Sequence, residues 1–327
     1  YRNRKLPQSL ILAGPEGIGK ATLAWRFVRF LMANPDPASS LVNAANSLFV
    51  DHDHPAARKV EALAHSDIFL LRREWNLQRK RHYTEIRVDD VRELIGRFQQ
   101  SASGNGWRTA IIDPVDDLNH NSANALLKLI EEPPPRSLFL FVANRPAQIL
   151  ATIRSRSQIL TMAPLAPDDV SSAVSSLGKP WSAAAPDDLG KAIERGHGSV
   201  RDSLRFLESN VSLLDNLDGL LGQLPRIDWG AVHVLSEALA PRDKTEDFEA
   251  VIASVLDWLS LQLKIRTDVS GEAPGAQIHA SSLAPLADLW EKIATQVRQV
   301  ETYNLDRRPF LLTLFSDLAA VAQPHDV

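Results

Sequence analysis

The run Gly14-Pro15-Glu16-Gly17-Ile18-Gly19-Lys20-Ala21 sets glycines at 14 and 19, with a lysine directly after the second. At that spacing a glycine turn presents backbone N–H groups to a phosphate while the lysine supplies a point charge. The next position should carry a hydroxyl to hold Mg²⁺, and Ala21 has none. Thr22 follows one residue later, about 100° further around a helix, and is a poor substitute. Leu10-Ile11-Leu12 before the loop reads as a buried strand, and Leu23, Phe27, Phe30 and Leu31 after it recur at helical spacing. Strand, turn and helix in that order would aim N–H groups and a positive helix end at an anion. Two readings fit the loop by itself: a nucleotide cradle of Gly14, Gly17, Gly19 and Lys20 that lacks its metal ligand, or a strand-to-helix turn that binds nothing.

A second group lies at Thr109-Ala110-Ile111-Ile112-Asp113, an apolar strand ending in a carboxylate. That is where nucleotide hydrolysis places a Mg²⁺ ligand, and Asp113 equally fits a strand-end turn. Asp116 and Asp117 read as exposed turn acids. Asp51-His52-Asp53-His54, with His65, are metal-ligating types, but a solvated loop is the simpler reading. Arg72-Arg73 and Arg79-Lys80-Arg81 flank Trp75 and combine phosphate-seeking charge with a stacking ring; they read as a charged surface hairpin. Trp107, Trp181, Trp229, Trp258 and Trp290 read as core or interface anchors.

The elements that position these residues follow from pattern. A chain of 327 residues suits two or three domains. Up to about Pro164, short apolar runs alternate with helical periods, as in a parallel sheet wrapped by helices. Strands are expected at 10–12, 68–71, 109–112, 138–142 and 158–161, and helices at 88–99 and 122–132, the second lined by Ala123, Leu126, Leu127 and Ile130. Pro133-Pro134-Pro135 ends that helix. Beyond Pro167 the strands stop. Three modest helices are expected at 168–177, 186–194 and 199–208, the last opened by a Ser199-x-x-Asp202 capping box. Three apolar stripes follow: Phe248, Val251, Ile252, Val255 and Leu259; Leu286, Leu289, Trp290, Ile293, Val297 and Val300; and Phe310, Leu311, Leu314, Leu318 and Val321. The Gly/Pro/Ser-rich stretch 267–277 reads as a loop between the first two.

A net charge of −4 argues against a chain that grips nucleic acid through overall positive charge. Without cysteine there is no disulfide and no cysteine-ligated zinc. No apolar stretch approaches the ~20 residues of a membrane span, so no membrane partner is expected and the cytoplasm is the expected location. The chain begins at Tyr1 rather than methionine, so some preceding residues are expected to be missing.

The block Asn119-His120-Asn121-Ser122-Ala123-Asn124-Ala125-Leu126-Leu127-Lys128-Leu129-Ile130-Glu131-Glu132-Pro133-Pro134 resembles the helix after the second nucleotide motif in bacterial sliding-clamp loader subunits, which are AAA+ proteins. Leu138-Phe139-Leu140-Phe141-Val142-Ala143-Asn144 is similar to the family's first-sensor strand. Ile153-Arg154-Ser155-Arg156-Ser157 resembles its Ser-Arg-Cys motif, with Ser157 in place of the cysteine, and Gly198-Ser199-Val200-Arg201-Asp202 looks like its second-sensor helix start. The resemblance runs through residues 10–205.

In ATP-hydrolysing AAA+ members a glutamate after the strand-end aspartate positions water, and here that place holds Pro114. With Ala21, this makes the resemblance closer to delta prime subunits of DNA polymerase III than to motor subunits. It implies an α/β AAA+ P-loop-type sheet domain over 1–164, a three-helix lid over 165–210 and an all-α collar over 211–327. It implies Arg156 as a trans arginine finger, no intrinsic ATPase, and a degenerate nucleotide site of Gly14, Gly17, Gly19, Lys20, Thr22, Asp113, Asn144 and Arg201. ATP binding without hydrolysis stays compatible with the loop; zinc is not expected. The implied partners are gamma/tau ATPase subunits and the delta subunit, and, through the complex, the sliding clamp and primed DNA. Alternatives are an ATP-hydrolysing motor of the same loader or another AAA+ ATPase, and a nucleotide-sensing module with no loader role.

Overall fold

Five apolar runs become one parallel sheet. In chain order the strands are β1 Ser9–Ala13, β2 Ile68–Leu71, β3 Trp75–Asn76, β4 Arg81–His82, β5 Arg108–Ile112, β6 Ser137–Ala143 and β7 Gln158–Thr161. The sheet runs β2-β5-β6-β1-β7, while β3 and β4 form a separate antiparallel ribbon. The computed structural model describes residues 1–3, 5–76, 81–100, 106–209, 211–271, 280–303 and 305–322. These divide into two units, Tyr1–Ala166 and Pro167–Val327.

In the first unit the helices are α1 Lys20–Ala33, α2 Ser40–Ala44, α3 Pro55–Glu61, α4 Val88–Gln99, α5 His120–Glu131 and α6 Ala151–Arg154. Every residue of β6 is buried, because a central parallel strand is covered on both faces. Its side chains alternate between two cores. Leu138 and Leu140 join Leu12, Val28 and Leu31 on one face. Phe139 and Phe141 join Phe98, Leu126 and Ile130 on the other.

α5 starts two residues before the expected helix, because Asn119 caps it: its side-chain oxygen accepts the Ser122 N–H at 2.8 Å. Leu129, rather than Leu127, completes the buried face with Ala123, Leu126 and Ile130. Ser122 is fully buried, and its hydroxyl donates to the Ile86 carbonyl at 2.7 Å. Ser122→Ala therefore leaves a buried carbonyl without that donor and is expected to cost about 1–3 kcal/mol, read as a lower denaturant midpoint with the slope unchanged.

The second unit is helical: α7 Pro167–Ser176, α8 Pro186–Arg195, α9 Val200–Glu208, α10 Val211–Gly222, α11 Trp229–Leu239, α12 Thr245–Gly271, α13 Ala280–Tyr303 and α14 Arg307–Ala322. Ser199 caps α9 by accepting the Asp202 N–H at 3.2 Å. Phe206, Leu217, Val232, Phe248, Val255, Leu286 and Leu314 belong to one core. Two sequence expectations are corrected here. Residues 267–271 continue α12 instead of forming a loop, since an existing helix extends one hydrogen bond at a time at little cost; residues 272–277 lie outside the described residues. Trp290 is 44% exposed, off the buried line of Leu286, Leu289, Ile293 and Val300 on α13. Among the described residues no helix is long and apolar enough to cross a membrane.

Candidate functional site

β1 runs directly into the glycine loop. Gly17 and Gly19 have φ of 79° and 93°, backbone that residues with a Cβ avoid. At Gly14 the constraint is contact: a Cβ there would stand 2.4 Å from the Met162 carbonyl oxygen. The Gly14 N–H donates to the Ala143 carbonyl at 3.1 Å, which ties the loop to the end of β6. Lys20, the first residue of α1, is 3% exposed, and its ammonium donates to the loop's own carbonyls, Gly14 at 2.8 Å and also Pro15. Burial holds the Lys20 pKa below the ordinary lysine range, against the pull of Glu16, Asp116 and Asp113.

Asp113, at the end of β5, completes the pair that the sequence put in one site. Burial raises its pKa, Lys20 and Arg72 work against that shift, and Glu16 adds to it. The ionised carboxylate is thus less favourable in the native state than in the unfolded chain. Its cost is fully present above the native pKa and disappears as pH falls through that value toward the unfolded one, about 3.9. Asp113→Asn is accordingly expected to raise the thermal midpoint at pH 7, with the gain vanishing near pH 3.5; an equal gain at both pH values would contradict this cause.

The glycine turn has backbone of the kind that a phosphate cradle needs, but Lys20 is turned onto the Gly14 and Pro15 carbonyls. Position 21 does not fit a metal, since Ala21 carries only a methyl group, and Thr22 is exposed on α1. Asn144 follows Ala143 at the end of β6, and its backbone N–H donates to Asp116 Oδ2 at 2.6 Å; Oδ1 of the same carboxylate accepts the Arg145 N–H at 3.1 Å. Asp116 is therefore not an exposed turn acid but a brace between the ends of β5 and β6. Asp117 is also withdrawn from solvent, 13% exposed and paired with Arg73 Nε at 2.8 Å. The cause is Val115, which is buried and pulls the turn inward.

Arg156 follows the short helix α6 at the surface. Its Nη1 donates to the Thr152 carbonyl at 3.0 Å and the Ser155 hydroxyl at 3.2 Å, and its Nη2 lies 2.7 Å from Glu131 Oε1 at the end of α5. Ser157 anchors this turn to the sheet: its hydroxyl donates to the Ile153 carbonyl at 2.8 Å and lies 2.6 Å from the Ser9 hydroxyl in β1. Arg154 is the last residue of α6, where a cation suits the helix dipole. Arg201 lies in the first turn of α9, in the second unit.

The remaining candidates have local roles. His54 caps α3 by accepting the Ala56 N–H, His52 pairs with Glu61 at 2.9 Å and Asp53 with Arg58 at 2.7 Å. No group of three or more metal-ligating side chains is gathered among the described residues. Trp75 packs edge-on against His82 across the β3–β4 ribbon, with ring centroids 5.0 Å apart; Arg79 and Lys80 lie outside the described residues.

The family model described as DNA polymerase III, delta subunit, matches residues 1–166. DNA polymerase III subunit delta prime of Pseudomonas aeruginosa is 32% identical over 252 residues, covering 76% of this chain and 68% of that protein. This chain belongs to the DNA polymerase III delta prime family. A more partial relative is DNA polymerase III subunit gamma/tau of Mycobacterium tuberculosis, 30% identical over 175 residues that cover 52% of this chain and 30% of that one. A DNA polymerase III gamma subunit-related protein of Thermotoga maritima aligns over 98% of both chains, with 14% identity and a TM-score of 0.41.

In this delta prime chain three contributors escape sequence reasoning: Asp116 as a brace, the Ser9–Ser157 contact, and Glu131 beside Arg156. Ser9 and Ser157 are 148 positions apart, and only the pairing of β1 with β7 brings their neighbourhoods together. Glu131 lay within the family-like block, but its use depends on where α6 ends.

Proposed function

We propose that the chain is a non-hydrolysing clamp-loader subunit that supplies Arg156 to a neighbouring ATPase subunit. The observation that carries this reading is Arg156 itself, 40% exposed with a fixed guanidinium, on a chain that has Ala21 after its glycine loop and Pro114 after β5, where metal and water chemistry need polar groups. The Arg156 guanidinium would offset negative charge that builds on the neighbour's γ-phosphate during hydrolysis. Any ATP bound by the chain's own loop is held through the N–H groups of Gly17, Ile18 and Gly19 and through Lys20, with Asp113 and Asn144 beside it, and without hydrolysis; no zinc is involved. Residues 165–210 act as a lid and 211–327 as an oligomerising collar. Gamma/tau-type ATPase subunits and a delta subunit are the direct partners in the cytoplasm, and the sliding clamp and primed DNA are reached through the complex.

Light scattering after mixing with gamma/tau-type ATPase subunits tests the assembly, together with an ATPase assay on the isolated chain. Expected are a co-eluting complex and no turnover by the chain alone. A chain that stayed monomeric would leave only a nucleotide sensor, and one that hydrolysed ATP unaided would be a motor.

A further inference from the structure

α5 ends on Glu131, an awkward place for an acid. The last turn of a helix points its carbonyl dipoles outward and disfavours a carboxylate, so the stability of α5 does not call for Glu131. Its partner is Arg156, at 2.7 Å, with 44% and 40% of the two side chains exposed. An ion pair this open contributes little to folding. Its effect on geometry is larger. Nη1 is held from α6 and the residue after it, by the Thr152 carbonyl and the Ser155 hydroxyl, and Nη2 is held from α5 by Glu131. Contacts from two elements on both ends of a planar fork define its plane, where contacts from one element would leave it free to swing. A guanidinium has five N–H donors, so these contacts leave donors for an incoming phosphate oxygen. Ordering the side chain beforehand removes entropy that would otherwise be lost when it engages.

We propose that Glu131 is the positioning residue for Arg156, setting the guanidinium's orientation before the neighbouring subunit presents its nucleotide. This rests on the trans role of Arg156 proposed above. In the assembled complex, the rate of single-turnover ATP hydrolysis at the neighbour's site and its ATP affinity are measured for Glu131→Ala, Glu131→Gln, Arg156→Ala and the double variant Glu131→Ala/Arg156→Ala. Glu132→Ala serves as the charge control, and thermal midpoints of each chain report folding. Glu131→Ala is expected to slow hydrolysis about threefold to fivefold with ATP affinity unchanged. Glu131→Gln, whose amide oxygen still accepts from Nη2, should come back to within about twofold of the parent, and Glu132→Ala should match the parent. The double variant should be no slower than Arg156→Ala. If Arg156→Ala were impaired but Glu131→Ala were not, the positioning role would be wrong while the trans role stood. A double variant slower than Arg156→Ala would equally overturn it, because Glu131 would then act by another route. An unimpaired Arg156→Ala would overturn the trans role and the positioning role with it.

Discussion

Arg156→Ala is expected to slow ATP hydrolysis at the neighbouring subunit's site by about 10³-fold or more, the lower end of what a trans arginine contributes in phosphoryl transfer. ATP affinity at that site should change far less, because the charge that the guanidinium offsets grows mainly on the way to the transition state. Arg156→Lys should recover little. An ammonium is a point charge without the planar fork, and it cannot reproduce the contacts that Thr152, Ser155 and Glu131 make with Nη1 and Nη2 together. Complex formation should be unaffected, since the side chain is at the surface and an exposed ion pair adds little to folding. Pre-steady-state hydrolysis in the reconstituted complex, with clamp and primed DNA present, is the measurement. Unchanged hydrolysis and clamp loading by a folded, incorporated variant would show that the arginine is a surface residue and nothing more.

Phe139→Ala is expected to give the largest loss of stability, about 3–5 kcal/mol. Phe139 is fully buried at the middle of β6, and its ring stacks on Phe98 with centroids 5.1 Å apart. Phe98 in turn lies 5.2 Å from Phe69, so the three rings bridge β6, α4 and β2. Truncation opens a void that a central strand, paired with both β1 and β5, cannot collapse to fill. The chain has two units, so the effect should appear in the unfolding of residues 1–166 and leave a transition of the helical unit in place. Denaturant unfolding followed by hydrogen exchange separates the two. A loss below about 1 kcal/mol would mean that the face repacks.

The elements of the first unit were largely legible because their signals are local. The expectations for β2, β7 and α4 match the observed bounds, and β1, β5 and β6 differ only by a residue at one or both ends. An apolar run between turn signals has few alternatives when it is buried on both faces, as β6 is, and β7 was legible from its pattern although all four of its residues are exposed. In the second unit the stripes on α12, α13 and α14 were legible, whereas α10 and α11 were not resolved as separate helices. Both nevertheless carry one-sided stripes, with Leu213, Leu214, Leu217, Leu220 and Leu221 buried on one face of α10 and Val232, Leu235, Ser236 and Leu239 on one face of α11. The period was therefore present in the sequence, with Pro225 between the two stripes as the mark that parts the helices.

By itself, the sequence determined which side chains stand at the glycine loop and after β5. Ala21 and Pro114 carry no metal-holding or water-positioning group whatever surrounds them, and the glycines at 17 and 19 permit the backbone that the loop adopts. Tertiary structure alone decided which polar groups serve one another. It drew Asp116 across to the amides of Asn144 and Arg145, and set Glu131 against Arg156. The difference is one of range. The identity of a side chain and the freedom of its backbone are properties of one position, but a hydrogen bond between residues 25 or more apart exists only once packing has fixed both ends.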